Sequence, residues 1–221
     1  MRRALVTGGS RGIGAATVRC LERDGFEVVK PTRDELDLLN VESIDRFCDS
    51  IRDIPFQVLI NNAGINDVHA IEEITDDEIA RMIAVNLVAP IKLLRCVTGG
   101  MKAQRYGRIV NIGSIWGQAG KPGRTVYAAT KHGIHGITQT LAVELAPYNI
   151  LINTVCPGFT LTDLTRKNNP PEVIRELEQQ IPLGRMAQPE EQAEAIAYLV
   201  GEKNTYITGQ MIAVDGGYLS K

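Results

Sequence analysis

Six short, predominantly apolar runs recur along the chain, and longer segments of helical period separate them. The runs lie at residues 4–6, 27–29, 57–60, 108–112, 150–155 and 211–214. Apolar runs of this length suit strands that are covered on both faces, as in a parallel sheet. Helical spacing appears between them at Ile134, Ile137, Leu141 and Leu145, and at Ile79, Met82 and Ile83. This alternation predicts one α/β domain over residues 1–221, with a doubly wound parallel sheet and helices on both faces.

One connection is too short for this pattern. Only five residues separate the second strand, which ends near Lys30, from a further short run at residues 36–38. A crossover helix needs about a dozen residues or more in all. We therefore expect the third strand, at residues 36–38, to follow a truncated link at the edge of the sheet.

The composition restricts the classes of function. Of the 221 residues, 44% are hydrophobic and 23% are charged, which excludes a disordered or fibrous chain. A net charge of −2 without a long basic run gives little support to a nucleic-acid or membrane partner. The four cysteines form no Cys-x-x-Cys pair and no Cys/His cluster, so we expect free thiols, no metal site and a cytoplasmic protein. The apolar stretch near the N-terminus is too short for a signal peptide.

A glycine-rich turn follows the first strand. Residues 7–14 read T-G-G-S-R-G-I-G and lead into a helical pattern. Glycines at such a turn let the backbone approach a pyrophosphate, whose charge the N-terminus of the helix then meets. The spacing is G-x-x-x-G-x-G and not G-x-G-x-x-G, so a plain strand-to-helix turn remains an alternative at this stage.

Tyr127 and Lys131 open the helical segment that contains Ile134 and Leu141. A spacing of four residues places the phenol and the ammonium on one face of a helix. A nearby cation favours the phenolate and would lower the pKa of a tyrosine from its usual value near 10. The pair also fits a half-buried tyrosine beside a lysine that reaches solvent, and the neighbouring motifs have to decide between the two.

Small polar groups and glycines follow several strands at their carboxyl ends, where open α/β sheets bind ligands. Ser114 comes thirteen residues before Tyr127, directly after a strand. Other strand ends carry Asn61, Asn62, Ala63 and Gly64, and Pro157, Gly158, Thr160 and Thr162, while Asn86 lies in the helical segment that follows Gly64. Trp116, the single tryptophan, either lines the mouth of a substrate site at this edge or packs inside the protein.

Taken jointly and in this order, the motifs resemble the short-chain dehydrogenase/reductase family over essentially the whole chain. The family's T-G-x-x-x-G-x-G appears at residues 7–14, its N-N-A-G at residues 61–64 and its closing V-D-G-G at residues 214–217. Its P-G with a following threonine appears as Pro157, Gly158 and Thr162. The style is closest to that of 3-oxoacyl-carrier-protein reductases. The resemblance implies a Rossmann-type fold and an oxidoreductase.

The resemblance also implies the site residues. The catalytic set would be Asn86, Ser114, Tyr127 and Lys131. Tyr127 would exchange a proton with the substrate oxygen, Lys131 would lower the pKa of that phenol and hold the nicotinamide ribose, Ser114 would hydrogen-bond the carbonyl oxygen, and Asn86 would hold a water. The residues implied for dinucleotide binding are Gly8, Ser10, Arg11, Gly12, Ile13, Gly14, Arg33, Asp37, Leu38, Asn61, Ala63, Gly64, Tyr127, Lys131, Pro157, Gly158, Thr160 and Thr162.

The residues after the second strand bear on the choice of dinucleotide. A carboxylate there would accept the adenosine ribose hydroxyls of NAD, whereas a cation favours the 2′-phosphate of NADP. Thr32 occupies the usual acidic position, Arg33 aligns with the family's phosphate-binding arginine, and Arg11 lies in the glycine turn. We expect NADP(H), while Asp34 and Glu35 keep NAD(H) open as the alternative.

These features predict an NAD(P)(H)-dependent oxidoreductase that interconverts a carbonyl and a secondary alcohol, with 3-oxoacyl thioesters among the candidate substrates. A catalytically silent dinucleotide-binding regulator or scaffold is the alternative, but such a protein has no need of Tyr127. A nucleotide-sugar epimerase or dehydratase is a third possibility. We favour it less, because such enzymes are longer chains with a C-terminal substrate domain.

The helix after Tyr127 bears on assembly. The resemblance implies a homotetramer or dimer in which this helix packs against its symmetry mate. Its apolar stripe is accompanied by small residues elsewhere on the helix, namely Gly133, Gly136, Ala142 and Ala146. A helix that is apolar or small nearly all round needs cover on its second side, which a second copy of the chain would provide.

Overall fold

The computed structural model describes residues 2–221, and six strands in this part of the chain form one parallel sheet. Their order across the sheet is β2-β1-β3-β4-β5-β6. The strands are β1 (Arg2–Val6), β2 (Phe26–Val29), β3 (Val58–Asn61), β4 (Gly107–Ile112), β5 (Ile150–Pro157) and β6 (Met211–Val214). The order runs outward in two directions from β1 and β3, which confirms the doubly wound sheet predicted from the alternation of elements.

Helices cover both faces of this sheet. The α-helices are α1 (Gly12–Arg23), α2 (Val41–Ser50), α3 (Asp76–Ile83), α4 (Ala89–Gln104), α5 (Thr125–Leu145), α6 (Asp163–Asn168), α7 (Pro171–Gln179) and α8 (Pro189–Val200). Helices α2, α4 and α5 share one apolar core with Leu59, Ile109 and Ile152 of the sheet. On the other face, α1 and α8 pack on Ile60 and Val110. Successive residues of one strand therefore enter different cores, as the pleat of a strand requires.

Helix α5 lies where the hydrophobic spacing predicts it. Ile134 and Leu145 are buried, and Ile137 and Leu141 pack at the edge of the same core, so the predicted apolar stripe faces the sheet. The helix follows a tight turn whose Gly123 has φ of +76°. The backbone oxygen of Arg124 accepts the first helical bond, from the N–H of Ala128 at 2.7 Å. Tyr127 and Lys131 therefore lie in the first two turns, at the carboxyl edge of the sheet.

The prediction of a third strand at residues 36–38 is wrong. Turns lie at residues 33–35 and 38–39, and residues 36–38 pair with no strand of the described chain. The N–H of Asp37 donates to Ser43 Oγ at 3.0 Å, and the N–H of Leu39 donates to Asp37 Oδ1 at 3.0 Å. Because side chains satisfy these backbone donors, no strand ladder is needed, and the buried Leu36 side chain joins the core as part of a turn. The shortened link leaves β2 at the edge of the sheet.

Helices α3 and α4 run into one another through a π-helical turn, Ala84–Val88. The resulting helix, Asp76–Gln104, has 29 residues, and its composition and length alone would allow it to cross a membrane. In this fold its apolar side chains contribute to the core, where Leu93, Val97 and Met101 pack against the sheet.

Candidate active site

The glycine turn between β1 and α1 forms a cradle that side chains would fill. Gly8 and Gly12 have φ of +64° and +54°, in the left-handed region that glycine adopts most readily. A Cβ on Gly14 would lie 2.1 Å from the backbone oxygen of Gly8. The turn therefore needs glycine for its own geometry, and it leaves backbone groups at the start of α1 open to a ligand. A dinucleotide pyrophosphate fits this surface of backbone N–H groups. Ser10 and Arg11 are exposed there, and Ile13 packs against the core.

The ends of β1 and β3 are locked together beside this turn. Thr7 Oγ1 accepts from the N–H groups of Asn62 and Ala63 at 3.0 and 3.1 Å. In return, Asn62 Nδ2 donates to the backbone oxygens of Thr7 and Gly8 at 2.9 and 3.2 Å. The T-G and N-N-A-G motifs are thus two halves of one hydrogen-bonded unit, which holds Ala63 and Gly64 next to the glycine turn.

Asn86 lies in the π-helical turn and is buried. Its Oδ1 accepts from the N–H of Ile65 at 2.9 Å, and its Nδ2 donates to the Ile65 oxygen at 2.8 Å and to Thr130 Oγ1 at 3.2 Å. A Cβ on Gly64 would lie 3.2 Å from Asn86 Oδ1 and 3.6 Å from Lys131 Nζ. Asn86 therefore joins the end of the N-N-A-G segment to α5, with Lys131 Nζ on the same side of Gly64.

A row of buried polar residues fixes α5 on the sheet. Asn61, Asn111 and Thr154 are register partners on β3, β4 and β5. Asn61 Nδ2 donates to Asn111 Oδ1 at 2.9 Å, and Asn111 Nδ2 donates to Thr138 Oγ1 of α5 at 2.9 Å. Thr154 Oγ1 also bonds Thr138 Oγ1, at 2.8 Å. Sequence reasoning singled out Asn61 in this row for dinucleotide binding and missed the contribution of Asn111, Thr138 and Thr154, although three polar residues in otherwise apolar segments were a usable signal.

Ser114, Tyr127 and Lys131 converge at the end of β4, as the motifs predict. Lys131 Nζ donates to the backbone oxygen of Ile112 at 2.7 Å and lies 5.6 Å from the centre of the Tyr127 ring. Ser114 is next to the Tyr127 phenol, and this contact opposes the rise in the phenol pKa that burial causes. Ser114 Oγ also accepts from the N–H of Trp116 at 3.1 Å, which holds the hydroxyl at the end of the strand.

The protonation of this site differs from the sequence-based expectation. Burial raises the pKa of Tyr127, and this effect outweighs the lowering by Ser114 and by the positive charge of Arg124. Burial also lowers the pKa of Lys131 to about 8, while the nearby Cys156 raises it. Lys131 does not offset the rise in the Tyr127 pKa, because burial lowers its own pKa to about 8 and so favours the uncharged amine, which does not stabilise a phenolate.

The end of β5 closes the site from the other side. The N–H of Gly158 donates to the Val214 oxygen at 3.0 Å, and a Cβ on Gly158 would lie 2.6 Å from Asp215 Cα. Pro157 ends β5, and Thr160 is buried and bridges to Ala187. Thr162 caps α6 and reaches back over the glycine turn, where a Cβ on Gly12 would lie 3.3 Å from its methyl group.

The residues after β2 form a small turn of their own. Glu35 Oε2 accepts from the N–H and Oγ1 of Thr32 at 2.7 and 2.9 Å, and these bonds lower the Glu35 pKa. Arg33 is largely exposed, with its Nε 3.9 Å from Asp37 Oδ1. Leu38 packs at the edge of the core.

An aromatic cluster borders the site beyond Ser114. The rings of Trp116, Phe159 and Tyr218 meet edge to face, with centres 5.3 to 6.1 Å apart. Trp116 therefore packs against other rings and also lies at the border of the site. Its position agrees with both interpretations that the sequence left open, packing inside the protein and a place at the mouth of a substrate site. Two cations that sequence reasoning did not select also border the site. Lys121 lies over the Trp116 ring of this cluster, and Arg124 lies over the Tyr127 ring. The K-P-G-R turn at residues 121–124, directly before α5, was the signal for them.

Comparison with known proteins gives consistent matches along the chain. A family model described as enoyl-(acyl carrier protein) reductase matches residues 34–219. The 3-oxoacyl-[acyl-carrier-protein] reductase of Vibrio cholerae is 36% identical, with 97% of this chain and 96% of the relative covered. The acetoacetyl-CoA reductase of Shinella zoogloeoides is also 36% identical, with 98% of each chain covered.

A solved structure shows the same fold. It is described as an NAD(P)-dependent gluconate 5-dehydrogenase from Beutenbergia cavernae, with NADP bound at low occupancy. It superimposes with a TM-score of 0.93 at 32% identity, and the match covers 100% of this chain and 97% of that one.

The polar row leads to a stability prediction. We expect Thr138→Val to lower the free energy of unfolding by about 1–3 kcal/mol, because it leaves Asn111 Nδ2 and Thr154 Oγ1 without their buried partner. Urea unfolding followed by circular dichroism would measure it. Thr140→Val is the matched control, since Thr140 makes the same bond to the oxygen four residues earlier but is exposed. Equal effects of the two substitutions would contradict a special role of the row.

Proposed function

The chain belongs to the short-chain dehydrogenase/reductase family, and on that premise we propose that it is an NAD(P)(H)-dependent oxidoreductase that interconverts a carbonyl and a secondary alcohol. The observation that carries the proposal is the convergence of Ser114, Tyr127 and Lys131 at the end of β4. A phenol held between a hydroxyl group and a buried lysine is a suitable proton donor and acceptor for a substrate oxygen.

The residues fit a nicotinamide dinucleotide. The glycine turn, Ala63 and Gly64, and Thr162 border one continuous strip along the carboxyl edge of the sheet, from α1 to Lys131. When bound, the dinucleotide supplies or accepts the hydride. The chain's own part is to hold the pyrophosphate at the start of α1 and the nicotinamide end beside Lys131 and Thr160.

We assign each catalytic residue a separate task. Ser114 hydrogen-bonds the substrate oxygen and keeps it next to the phenol of Tyr127, which gives up or accepts the proton. Lys131, whose pKa burial lowers to about 8, bonds ribose hydroxyls and favours the phenolate when it turns away from the Ile112 oxygen. Asn86 fixes the backbone at Ile65 through two hydrogen bonds. In this position it keeps a path open by which water reaches Lys131.

The relatives narrow the substrate. Two of them are named for 3-oxoacyl or acetoacetyl thioesters and one solved structure for gluconate. In all of these names the substrate has a carboxyl group or a carboxyl-derived thioester. We propose a carbonyl substrate of this kind and take 3-oxoacyl thioesters as the first to be tested.

The free thiols of Cys20, Cys48, Cys96 and Cys156 support a reducing, cytoplasmic location.

A catalytically silent dinucleotide-binding protein is the rival to this proposal. It would retain the glycine turn and the N-N-A-G unit but would gain nothing from Tyr127. Substitution of Tyr127 therefore separates the two functions.

We expect Tyr127→Phe to abolish NADPH oxidation with acetoacetyl thioesters and to leave NADPH binding within about threefold of the parent protein. The phenol moves the proton, whereas the glycine turn and Lys131 hold the dinucleotide. Steady-state kinetics and a fluorescence titration of NADPH would measure the two effects. Tyr206→Phe is the control, because Tyr206 is 94% exposed. Near-normal kcat in Tyr127→Phe would exclude the proposed mechanism.

The turn after β2 supports a preference for NADP(H). Glu35 is already engaged by Thr32, so it is poorly placed to accept ribose hydroxyls. The guanidinium of Arg33 is exposed, and its Nε is 3.9 Å from Asp37 Oδ1, too far for a hydrogen bond, so the side chain is able to reach a 2′-phosphate. Arg11, exposed at the start of α1, adds a second cation.

We predict that NADPH binds more tightly than NADH and that Arg33→Ala narrows this gap. A charge-assisted bond to phosphate contributes about 1.5–3 kcal/mol, so NADPH affinity should fall about tenfold to a hundredfold while NADH affinity changes little. Calorimetric titration of both dinucleotides would measure the gap. The exposed Arg175 provides the control substitution Arg175→Ala. Equal affinities in the unmodified protein would favour NAD(H) and a ribose contact by Asp34.

We also propose that residues 1–221 act as one catalytic domain that associates with further copies through α4 and α5. Both helices cover the same face of the sheet. Val88, directly before α4, Ile91 of α4 and Val143 of α5 are 40%, 45% and 78% exposed. Gly136 adds a position with no neighbour within 4 Å. Apolar and small side chains on one outer face suit a two-fold contact between copies.

We expect light scattering to give a dimer or tetramer at micromolar concentration, and Val143→Glu to shift it towards monomer by placing a charge in the contact. Leu183→Glu is the control, because Leu183 is 68% exposed in the loop between α7 and α8, outside both helices of the proposed contact. A fully active monomer would contradict this assembly.

A further inference from the structure

Two cations stand beside the proposed carbonyl site without an acid to neutralise them. Within residues 2–221, neither Lys121 nor Arg124 has a carboxylate oxygen within 4.0 Å, whereas fourteen other ion pairs form there. We propose that Arg124 and Lys121 bind an anionic group, a carboxylate or a phosphate, carried by the carbonyl substrate. This inference deepens the proposed function and rests on it.

The local backbone brings the two cations together. Pro122 and Gly123 are the central residues of a turn, and Gly123 has φ of +76°. Proline followed by a glycine of positive φ is typical of a type II turn. The Cα atoms of its first and fourth residues lie within about 7 Å of each other. Lys121 and Arg124 are those two residues. The N–H of His69 donates to the Gly123 oxygen at 3.1 Å, so a neighbouring segment holds the turn in place.

Arg124 faces the proposed catalytic tyrosine. Its guanidinium carbon lies 6.0 Å from the centre of the Tyr127 ring. Its Nε is buried and has no hydrogen-bond partner among the described residues. An arginine donor that is removed from water normally has an acceptor, so this one lacks the partner that an oxyanion would supply.

Lys121 lies over the aromatic cluster. Its Nζ is 4.9 Å from the centre of the Trp116 ring and 5.5 Å from that of Phe159. These rings hold the ammonium group at the border of the site by cation–π attraction, and no anion compensates its positive charge there. The same rings offer an apolar wall to the carbon chain of a substrate.

Electrostatics make the arrangement costly without a ligand. Burial and the charge of Arg124 lower the pKa of Lys121, and burial lowers the pKa of Arg124. The acids on the adjacent segment are already paired, Asp67 with Arg81 at 3.0 Å and Glu78 with His69 at 3.0 Å. An oxyanion between the two cations would offset the cost of burying their charges and the repulsion between them. This is the expected role of a substrate group.

The position of the cations also limits the length of the substrate. Arg124 is close enough to influence the Tyr127 phenol, whose pKa its charge lowers. The anionic group must then lie only a few bonds from the reacting carbonyl. A short oxo acid or oxo phosphate satisfies this condition, with its carbon chain against Trp116 and Phe159.

The binding arm of the test does not depend on turnover. Trp116 is the only tryptophan, so its emission reports on the contact with Lys121. The protein, saturated with NADP⁺ to fill the dinucleotide phosphate sites, would be titrated with butyrate, with the isosteric but neutral butyramide, and with inorganic phosphate. We expect a saturable change of emission with butyrate or phosphate and none with butyramide. The stronger of the two anions identifies the group.

The variants connect this response to the two cations. Arg124→Gln and Lys121→Gln should each weaken anion binding about tenfold or more, because each removes a charge-assisted contact. Lys203→Gln removes an exposed charge between α8 and β6 and should titrate like the parent protein. Equal responses to butyrate and butyramide, or unchanged titrations in both variants, would overturn the proposal.

The kinetic arm compares acetoacetate with its neutral methyl ester, using NADPH. We expect kcat/KM for acetoacetate to fall about tenfold to a hundredfold in Lys121→Gln, and that for the ester to change less than about threefold. A parallel loss for both would overturn the proposal. If the parent protein reduces no carbonyl at all, the proposed function fails, and the emission titration still decides whether the anion site exists.

Discussion

The buried hydrogen bonds between Thr138 and the sheet determine where the candidate site lies. Apolar contacts alone would let α5 slide by small amounts along β4 and β5, because dispersion and burial are not directional. The bonds from Asn111 and Thr154 to Thr138 Oγ1, at 2.9 and 2.8 Å, allow one position only. Lys131 stands two helical turns before Thr138 on the same face. Its ammonium group therefore reaches the Ile112 oxygen at the end of β4.

The two halves of the site are built by different means. The half that fits a dinucleotide is mainly backbone, with Gly8, Gly12 and Gly14 leaving room and Thr7 joining the ends of β1 and β3. Such a surface suits a ligand shared by many enzymes, because it recognises phosphate and ribose and little else. The carbonyl half is made of side chains that can vary without disturbing the sheet, above all those of the turn before α5.

Burial sets the protonation of the carbonyl half before any ligand binds. Burial favours the neutral form of both groups: it raises the pKa of the Tyr127 phenol and lowers that of Lys131 to about 8, so the two pKa values move apart. Positive charge from Arg124 acts against this for the phenol. The same turn that suits an anionic substrate group thus also favours the phenolate, which links recognition with proton transfer in one loop.

Much of this protein is determined by its sequence alone. Apolar runs and helical spacing are local properties, and they were sufficient for the parallel sheet, the stripe on α5 and the clustering of Ser114, Tyr127 and Lys131 at one edge. The resemblance carried by the glycine turn and the N-N-A-G segment was sufficient for the family. What only the tertiary structure decided depends on competition between distant groups. Residues 36–38 look like a strand, but Ser43 and Asp37 satisfy their backbone donors and leave them a turn. Tyr127 and Lys131 predict a depressed phenol pKa, yet burial raises the pKa of the phenol and lowers that of Lys131. Spacing along a chain reveals which groups can meet, whereas burial and the nearest partner in space decide the charge that each one carries.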